Sequence, residues 1–295
     1  MTQTWIDLGL GVGMFLLMLG MGLTLVTDDF RRVATNPRAT LVGTLLQLVV
    51  MPCVGLLLAN LFALPPILAA GIVVVAACPG GMFSNMYIHF AKANTALSIT
   101  LTATATLVTL FTLPLWVQFS ITRFGAQEDA AVAMPVVDTA LRLGTLTILP
   151  VVIGMIARAR NPNALRYERY ATIPGAIAIV LGAGLGAGNN PELEPSQFVE
   201  SLAPAAAFAF AAMFVGMAVP LLFRVPPRDA VTIAVEMIVK NTLLGIVLVS
   251  QVLDFEAVLP IFAFALFQTP GGIVLLVGWR WFERRERSRR GDAEP

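Results

Sequence analysis

The chain has 295 residues, 57% of them hydrophobic and 13% charged, and its mean hydropathy is +0.82; a soluble domain carries about 25% charged residues. Lipid is therefore the expected solvent for most of it. A formal net charge of +1, with no recurring basic face away from segment ends, excludes nucleic acid as a partner on charge grounds. Cys53 and Cys78 lie inside apolar runs without the spacing of a metal pair or a redox motif, and both read as packing residues.

Apolar stretches long enough to cross about 30 Å of hydrocarbon recur about nine times, at 4–26, 39–62, 66–90, 94–118, 136–157, 173–188, 201–223, 230–251 and 258–282. The first has no basic flank before it, so it is expected to stay as a helix rather than be removed as a signal peptide. Short polar loops separate the stretches and leave no room for a soluble domain. A single transmembrane domain over 1–282 and a basic tail over 283–295 is the expected organisation. With the N-terminus outside, the inner loops and tail gather nearly all the basic residues, among them Arg31, Arg32, Arg38, Lys92, Arg158 and Arg224, against Arg123 alone in the outer loops. That asymmetry predicts an outside N-terminus and a cytoplasmic C-terminus. Gly182, Gly184, Gly186, Gly188 and the alanines between Ala203 and Ala212 are expected to permit close helix approach in lipid.

Polar interruptions carry the functional signal. In the third stretch Cys78-Pro79-Gly80-Gly81 precedes Met82, Phe83, Ser84 and Asn85; the proline removes a backbone donor and the glycines weaken the helix. A break there frees backbone groups that must face protein or a water-filled cavity, which predicts an ion or substrate site. Ser84, Asn85, Ser98, Thr100 and Thr102 supply neutral oxygens that suit a hard, weakly charged cation. In the eighth stretch Glu236 and Lys240 are ionisable residues at membrane depth, followed by Asn241 and Thr242. Their i,i+4 spacing reads either as a structural ion pair on one helix face or as part of a site.

Gln47, ahead of Pro52, bonds a neighbouring backbone or joins that site. Gln268, Thr269, Pro270, Gly271 and Gly272 mark a kink or a substrate path in the ninth stretch. Asp138 and Arg142 read as a local pair, and His89 is the chain's single histidine. Interruptions near the middle of the third and eighth stretches are what duplicated transporter halves leave in a sequence.

At these residues the chain resembles the bile acid:sodium symporter family, in which Cys-Pro-Gly-Gly-x-x-Ser-Asn breaks one helix and Glu-x-x-x-Gln-Asn its symmetry partner. Met18-Leu19-Gly20-Met21-Gly22 resembles the second helix of ten-helix members, so the resemblance implies the nine-helix form. It implies an all-α polytopic fold with a panel, a core, inverted repeats and two crossed discontinuous helices. It further implies a first sodium site from Ser84, Asn85, Ser98, Thr102 and Glu236. A second would use Gln47, Glu236, carbonyls near Met237 and Val239, and a glutamine position that Lys240 occupies here. Ile238, where the family usually has glycine, also departs from the pattern.

These readings predict a sodium-coupled symporter of a small organic anion, working by alternating access, with Na+ as coupling ion and no other cofactor. Lys240 is expected to replace the second sodium. A proton-coupled or uncoupled carrier of the same fold is the alternative. Met82, Asn85, Asn241, Thr242, Gln268 and Thr269 are the expected substrate contacts. An intramembrane hydrolase would need Ser84 and His89 together, and their spacing faces them apart on a helix.

Overall fold

The computed structural model describes residues 2–26, 36–125, 136–190 and 193–290, and within them the side chains of Met82, Asp138 and Arg142 fall outside the described set. Arg31 and Arg32 also lie outside it. The described residues form helices α1 (Thr2–Thr24), α2 (Pro37–Leu45), α3 (Met51–Leu61), α4 (Pro66–Ala77), α5 (Met82–Ala91) and α6 (Thr95–Phe124). They continue with α7 (Val136–Arg160), α8 (Glu168–Asn189), α9 (Pro195–Leu222), α10 (Pro227–Ile238), α11 (Thr242–Val252) and α12 (Leu259–Arg290). A π-helical turn, Leu46–Val50, joins α2 to α3 without a break. Five helical stretches are long and apolar enough to cross a membrane: Pro37–Leu61, Thr95–Phe124, Pro162–Asn189, Pro195–Leu222 and Phe255–Glu286. Leu8–Thr24 and Pro66–Ala77 are shorter apolar helices.

Packing divides by partner. α1 lies against α7 and α8. Glycines set that approach: a Cβ on Gly13 would meet the Gly175 carbonyl at 2.9 Å, and one on Gly22 would meet the Val151 carbonyl at 2.2 Å. α9 instead packs on α10 and α12, and α4 on α3 and α6. In the predicted glycine run of α8, Gly182 and Gly186 do pack, on Leu10 and Phe255, whereas Gly184 and Gly188 face open space. Cys53, expected to pack, is exposed; Cys78 is buried.

The two interrupted stretches are built alike. Ala63-Leu64-Pro65-Pro66 enters the first and Arg224-Val225-Pro226-Pro227 the second. Ala63 and Arg224 both take left-handed backbone, with φ of 48° and 56°. In each, the next amide closes a cap onto the end of the preceding helix, Leu64 to the Ala59 carbonyl at 3.1 Å and Val225 to the Pro220 carbonyl at 2.9 Å. A proline then stands at the first helical position, where no N–H is needed. α4 ends where Cys78 precedes Pro79 and turns to ψ 145°, away from the helical region as a pre-proline residue must. α10 ends at Ile238, and helix resumes only at Thr242. The isoleucine at 238 therefore does not prevent the second break.

The two breaks cross and bind each other. The Gly81 N–H donates to the Val239 carbonyl at 2.8 Å, and the Asn241 N–H donates to the Pro79 carbonyl at 2.9 Å. Gly80 and Lys240 are thereby opposed as one antiparallel bridge. Backbone groups left over by both unwound turns are satisfied in the interior. In the ninth stretch α12 runs unbroken through Pro270 and on to Arg290. Gly271 and Gly272 there admit Ile238, Val239 and Tyr87, so α12 seats on the crossing without opening.

Gly80 has no room for a side chain, since a Cβ would lie 2.0 Å from Glu236 Oε2. Gly80→Ala is expected to destabilise the protein by about 1–3 kcal/mol through overpacking. Gly184→Ala, in open space on α8, should leave the melting temperature in detergent unchanged or slightly raised. Equal melting temperatures for the two variants would contradict this account of the crossing.

Candidate functional site

One carboxylate organises the site. Glu236, in the last turn of α10, is fully buried. Its Oε1 accepts from Ser84 Oγ of α5 at 2.7 Å and from Ser98 Oγ of α6 at 2.5 Å. Thr102 Oγ1, one turn further along α6, lies 3.1 Å from both carboxylate oxygens. Ser84 Oγ is also 2.7 Å from the Gly81 carbonyl, and Ser98 Oγ is 2.6 Å from Asn85 Oδ1. Two hydroxyl hydrogens, on Ser84 and Ser98, thus serve four short oxygen–oxygen contacts. A hydroxyl donates once, so lone pairs face one another at two of them. A cation among these oxygens would turn that repulsion into coordination, and a set with one carboxylate and neutral partners matches a hard ion of low charge.

Gln47 and Lys240 approach the same place. Gln47 sits in the π-helical turn, fully buried, and a Cβ on Gly80 would lie 3.4 Å from its Nε2. Neither of its amide atoms, nor Lys240 Nζ, has a hydrogen-bond partner among the described residues. Lys240 is 2% exposed and lies within electrostatic reach of Cys78 and Glu236. Because α10 stops at Ile238, Glu236 and Lys240 do not share a helix face, and the i,i+4 reading of the pair does not hold. The Val239 carbonyl is engaged by Gly81, while Met237 packs against Gly216.

On the other side of the crossing lies a cavity of about 460 Å³. Asn241, Thr242, Gln268 and Thr269 form its polar end together with Lys240, and Leu17 and Met21 of α1, Tyr87 of α5 and Ile173 and Ile177 of α8 are among its walls. Gln268 ties cavity to crossing: its Oε1 accepts from the Lys240 N–H at 3.2 Å, and its Nε2 donates to Thr242 Oγ1 at 3.3 Å. Asn241 Oδ1 caps α11 by accepting from the Leu244 N–H at 3.1 Å, which leaves Nδ2 as its donor. Asn85 stands instead with the carboxylate cluster, through Ser98. Met82 lies outside the described side chains, as does the Asp138–Arg142 pair. His89 is exposed while Ser84 is buried on Glu236, so the two do not meet.

The residue pattern also overlooks a polar clamp where α2, α5, α6 and α10 meet. Asp229 accepts from Asn94 Nδ2 at 2.7 Å and Asn36 Nδ2 at 3.4 Å, and Arg228 reaches the Ala93 carbonyl at 3.0 Å.

The profile of the sodium bile acid symporter family matches residues 11–185. The chain belongs to that family. A probable chloroplastic sodium/metabolite cotransporter of Oryza sativa subsp. japonica is 30% identical over 284 residues, which is 94% of this chain and 65% of that one. An uncharacterised sodium-dependent transporter of Bacillus subtilis (strain 168) is 32% identical over 196 residues, 64% of this chain and 58% of its own. The ileal sodium/bile acid cotransporter of Homo sapiens is 28% identical over 172 residues, 58% of this chain and 49% of its own. The chain thus spans about two thirds or less of the length of these relatives. Membership of the sodium bile acid symporter family and the apolar helices make it an integral membrane protein of a transporter family.

Within this family member Gln268 bonds both the crossing and the cavity's Thr242 hydroxyl. Gln268→Met is expected to leave the Lys240 N–H with the Ile238 carbonyl alone, at 3.2 Å, and to cost about 0.5–1.5 kcal/mol. Thermal unfolding in detergent measures it; an unchanged midpoint would show that the bond contributes nothing to holding the crossing.

Proposed function

We propose that the protein is a secondary carrier that moves an organic anion together with sodium by alternating access. Its substrate is sodium plus an anion; the Glu236 cluster would hold the sodium through Ser84, Ser98, Thr102 and Asn85. The observation that carries the reading is the surplus of short oxygen–oxygen contacts over hydroxyl hydrogens around one buried carboxylate. The anion would occupy the cavity on the other side of the crossing, where α11 presents its N-terminus and Asn241, Thr242, Gln268 and Thr269 offer donors.

In this reading the chain crosses the membrane nine times, counting each broken pair once, with the N-terminus outside. α1, α7 and α8, which pack on one another, act as a panel against which the remaining helices move as a core with inverted repeats. The cavity walls from α5 and the start of α8 lie toward the side that basic loops make cytoplasmic, which supports an inward-open state. The residue range 283–295 is then a cytoplasmic tail that carries the end of α12.

Lys240 takes the place of a second sodium. Its ammonium brings one permanent charge to the crossing that Gln47 and the end of α10 would otherwise share with a cation. A second reading, proton-coupled or uncoupled transport by the same fold, draws on the same unpartnered ammonium, which a proton could leave during the cycle.

The test is a sodium titration of thermal stability on the purified protein. One sodium-dependent step is expected in the wild type, worth about 2.7 kcal/mol at roughly 100-fold above the dissociation constant. Glu236→Gln and Ser98→Ala should abolish it, and Lys240→Gln should add a second step. No response to sodium in the wild type would instead favour the proton-coupled or uncoupled carrier.

A further inference from the structure

α2 is inside out relative to a helix of a soluble protein. Leu41, Leu45 and Val49 face outward, 61%, 50% and 49% exposed. The opposite face carries Thr40, Gly43, Thr44 and Gln47, at i, i+3, i+4 and i+7, a single helical stripe. That stripe is turned into the protein: Thr40 is 2% exposed and Gln47 fully buried, and Gly43 lies against Leu101 of α6 and Ile233 of α10. Apolar residues toward lipid are ordinary; three polar residues toward the interior need partners.

They have none among the described residues. Thr40 Oγ1, Thr44 Oγ1 and both amide atoms of Gln47 are buried without a hydrogen-bond partner. Threonines inside transmembrane helices commonly turn their hydroxyl onto the carbonyl four residues back, as Thr100 does here onto Ala96 at 2.9 Å. Thr40 and Thr44 do not. Thr104 Oγ1 on α6, which packs against α2 and the π-helical turn, is also buried and unpartnered.

The stripe has two meaningful ends. Gln47 stands beside Gly80 and through it Glu236. Thr40 is one turn from Asn36, whose Nδ2 donates to the Asp229 carboxylate. From Thr40 to Gln47 the helix rises about 10 Å. Oxygens spaced one turn apart between a buried carboxylate and an acidic helix end make a file suited to a hydrated cation. None of these stripe residues lines the cavity that would hold the anion.

We propose that Thr40 and Thr44 line a hydrated path between the Asn36–Asp229 end and the Glu236 site, so that the coupling cation enters or leaves by a route separate from the substrate cavity. The path rests on the reading of Glu236 as a cation site. Ion and anion then reach the crossing from opposite sides of the broken helices. Gln47 marks the inner end of the path, and the π-helical turn sets its direction by adding a residue to the coil just before Pro52.

Cysteine accessibility tests it in proteoliposomes, after replacing Cys53 and Cys78 by alanine and confirming that sodium still stabilises this background. Thr40→Cys and Thr44→Cys are treated with a membrane-impermeant cationic methanethiosulfonate, beside Leu41→Cys and Leu45→Cys on the lipid face. Modification at 40 and 44 is expected to be roughly 100-fold faster than at 41 and 45, because a charged reagent is excluded from hydrocarbon. It should occur from the Asp229 side only, and sodium should slow it. As a second variant, Thr44→Val keeps the shape of the side chain and should slow sodium exchange while leaving the stabilisation at saturating sodium intact. Modification at 40 and 44 no faster than at 41 and 45, with sodium stabilisation retained, would overturn the path and leave the cation site standing. Fast modification in a protein that sodium neither stabilises nor protects would overturn the sodium reading itself, and with it the path's cargo.

Discussion

Everything in the centre of this protein hangs on two hydrogen bonds between unwound turns. A helix interrupted in lipid exposes carbonyls and amides that have no solvent, and each unpaired one costs several kcal/mol. Here each break satisfies the other, Gly81 bonding Val239 and Asn241 bonding Pro79. The pairing brings the two backbones close at Gly81, where a Cβ would lie 3.0 Å from the Lys240 carbonyl oxygen, and Glu236 closes in on Gly80 beside it. The site is therefore tied to the crossing: the carboxylate lies where Gly80 has no Cβ, with its other oxygen on Ser84 and Ser98.

Four helix ends converge there. The C-termini of α4 and α10 present carbonyls and partial negative charge, and the N-termini of α5 and α11 present amides and partial positive charge. Such an arrangement would suit the proposed cation on one side and anion on the other without large formal charges of its own. Glu236 and Lys240 add one charge of each sign, and the hydroxyls of Ser84, Ser98 and Thr102 shield the carboxylate rather than neutralise it.

Much of this was legible beforehand. The apolar stretches fall on described helices, five of them in stretches long and apolar enough to cross a membrane, and Pro79 with two glycines marks the first break, because proline chemistry acts locally. The cluster at Glu236 was legible through the family motif, since Ser84, Asn85, Ser98 and Thr102 stand in matching positions. The ion pair was misread because helical spacing was carried across a turn that is not helical. Pro270 and its neighbours read as a kink or a substrate path; α12 continues through the proline, as transmembrane helices tolerate, and Gln268 and Thr269 line the cavity. The Asp229 clamp escaped notice because its partners are 135 and 193 residues away, and charged loop residues look alike from composition.

Gln268 shows how the two sides of the crossing can feel each other. Its carbonyl oxygen holds the amide of Lys240, the residue paired with Gly80, and its nitrogen holds Thr242 at the cavity's polar end. An anion that draws on Thr242 or Asn241 must therefore alter the hydrogen bonding of the same turn that carries the lysine. A cation at Glu236 bears on that turn from the opposite face, through Gly80 and Gly81. On the proposed reading two such ligands need not touch to be coupled: each would bias the geometry of a bridge only one residue pair wide, and linkage would make that influence reciprocal.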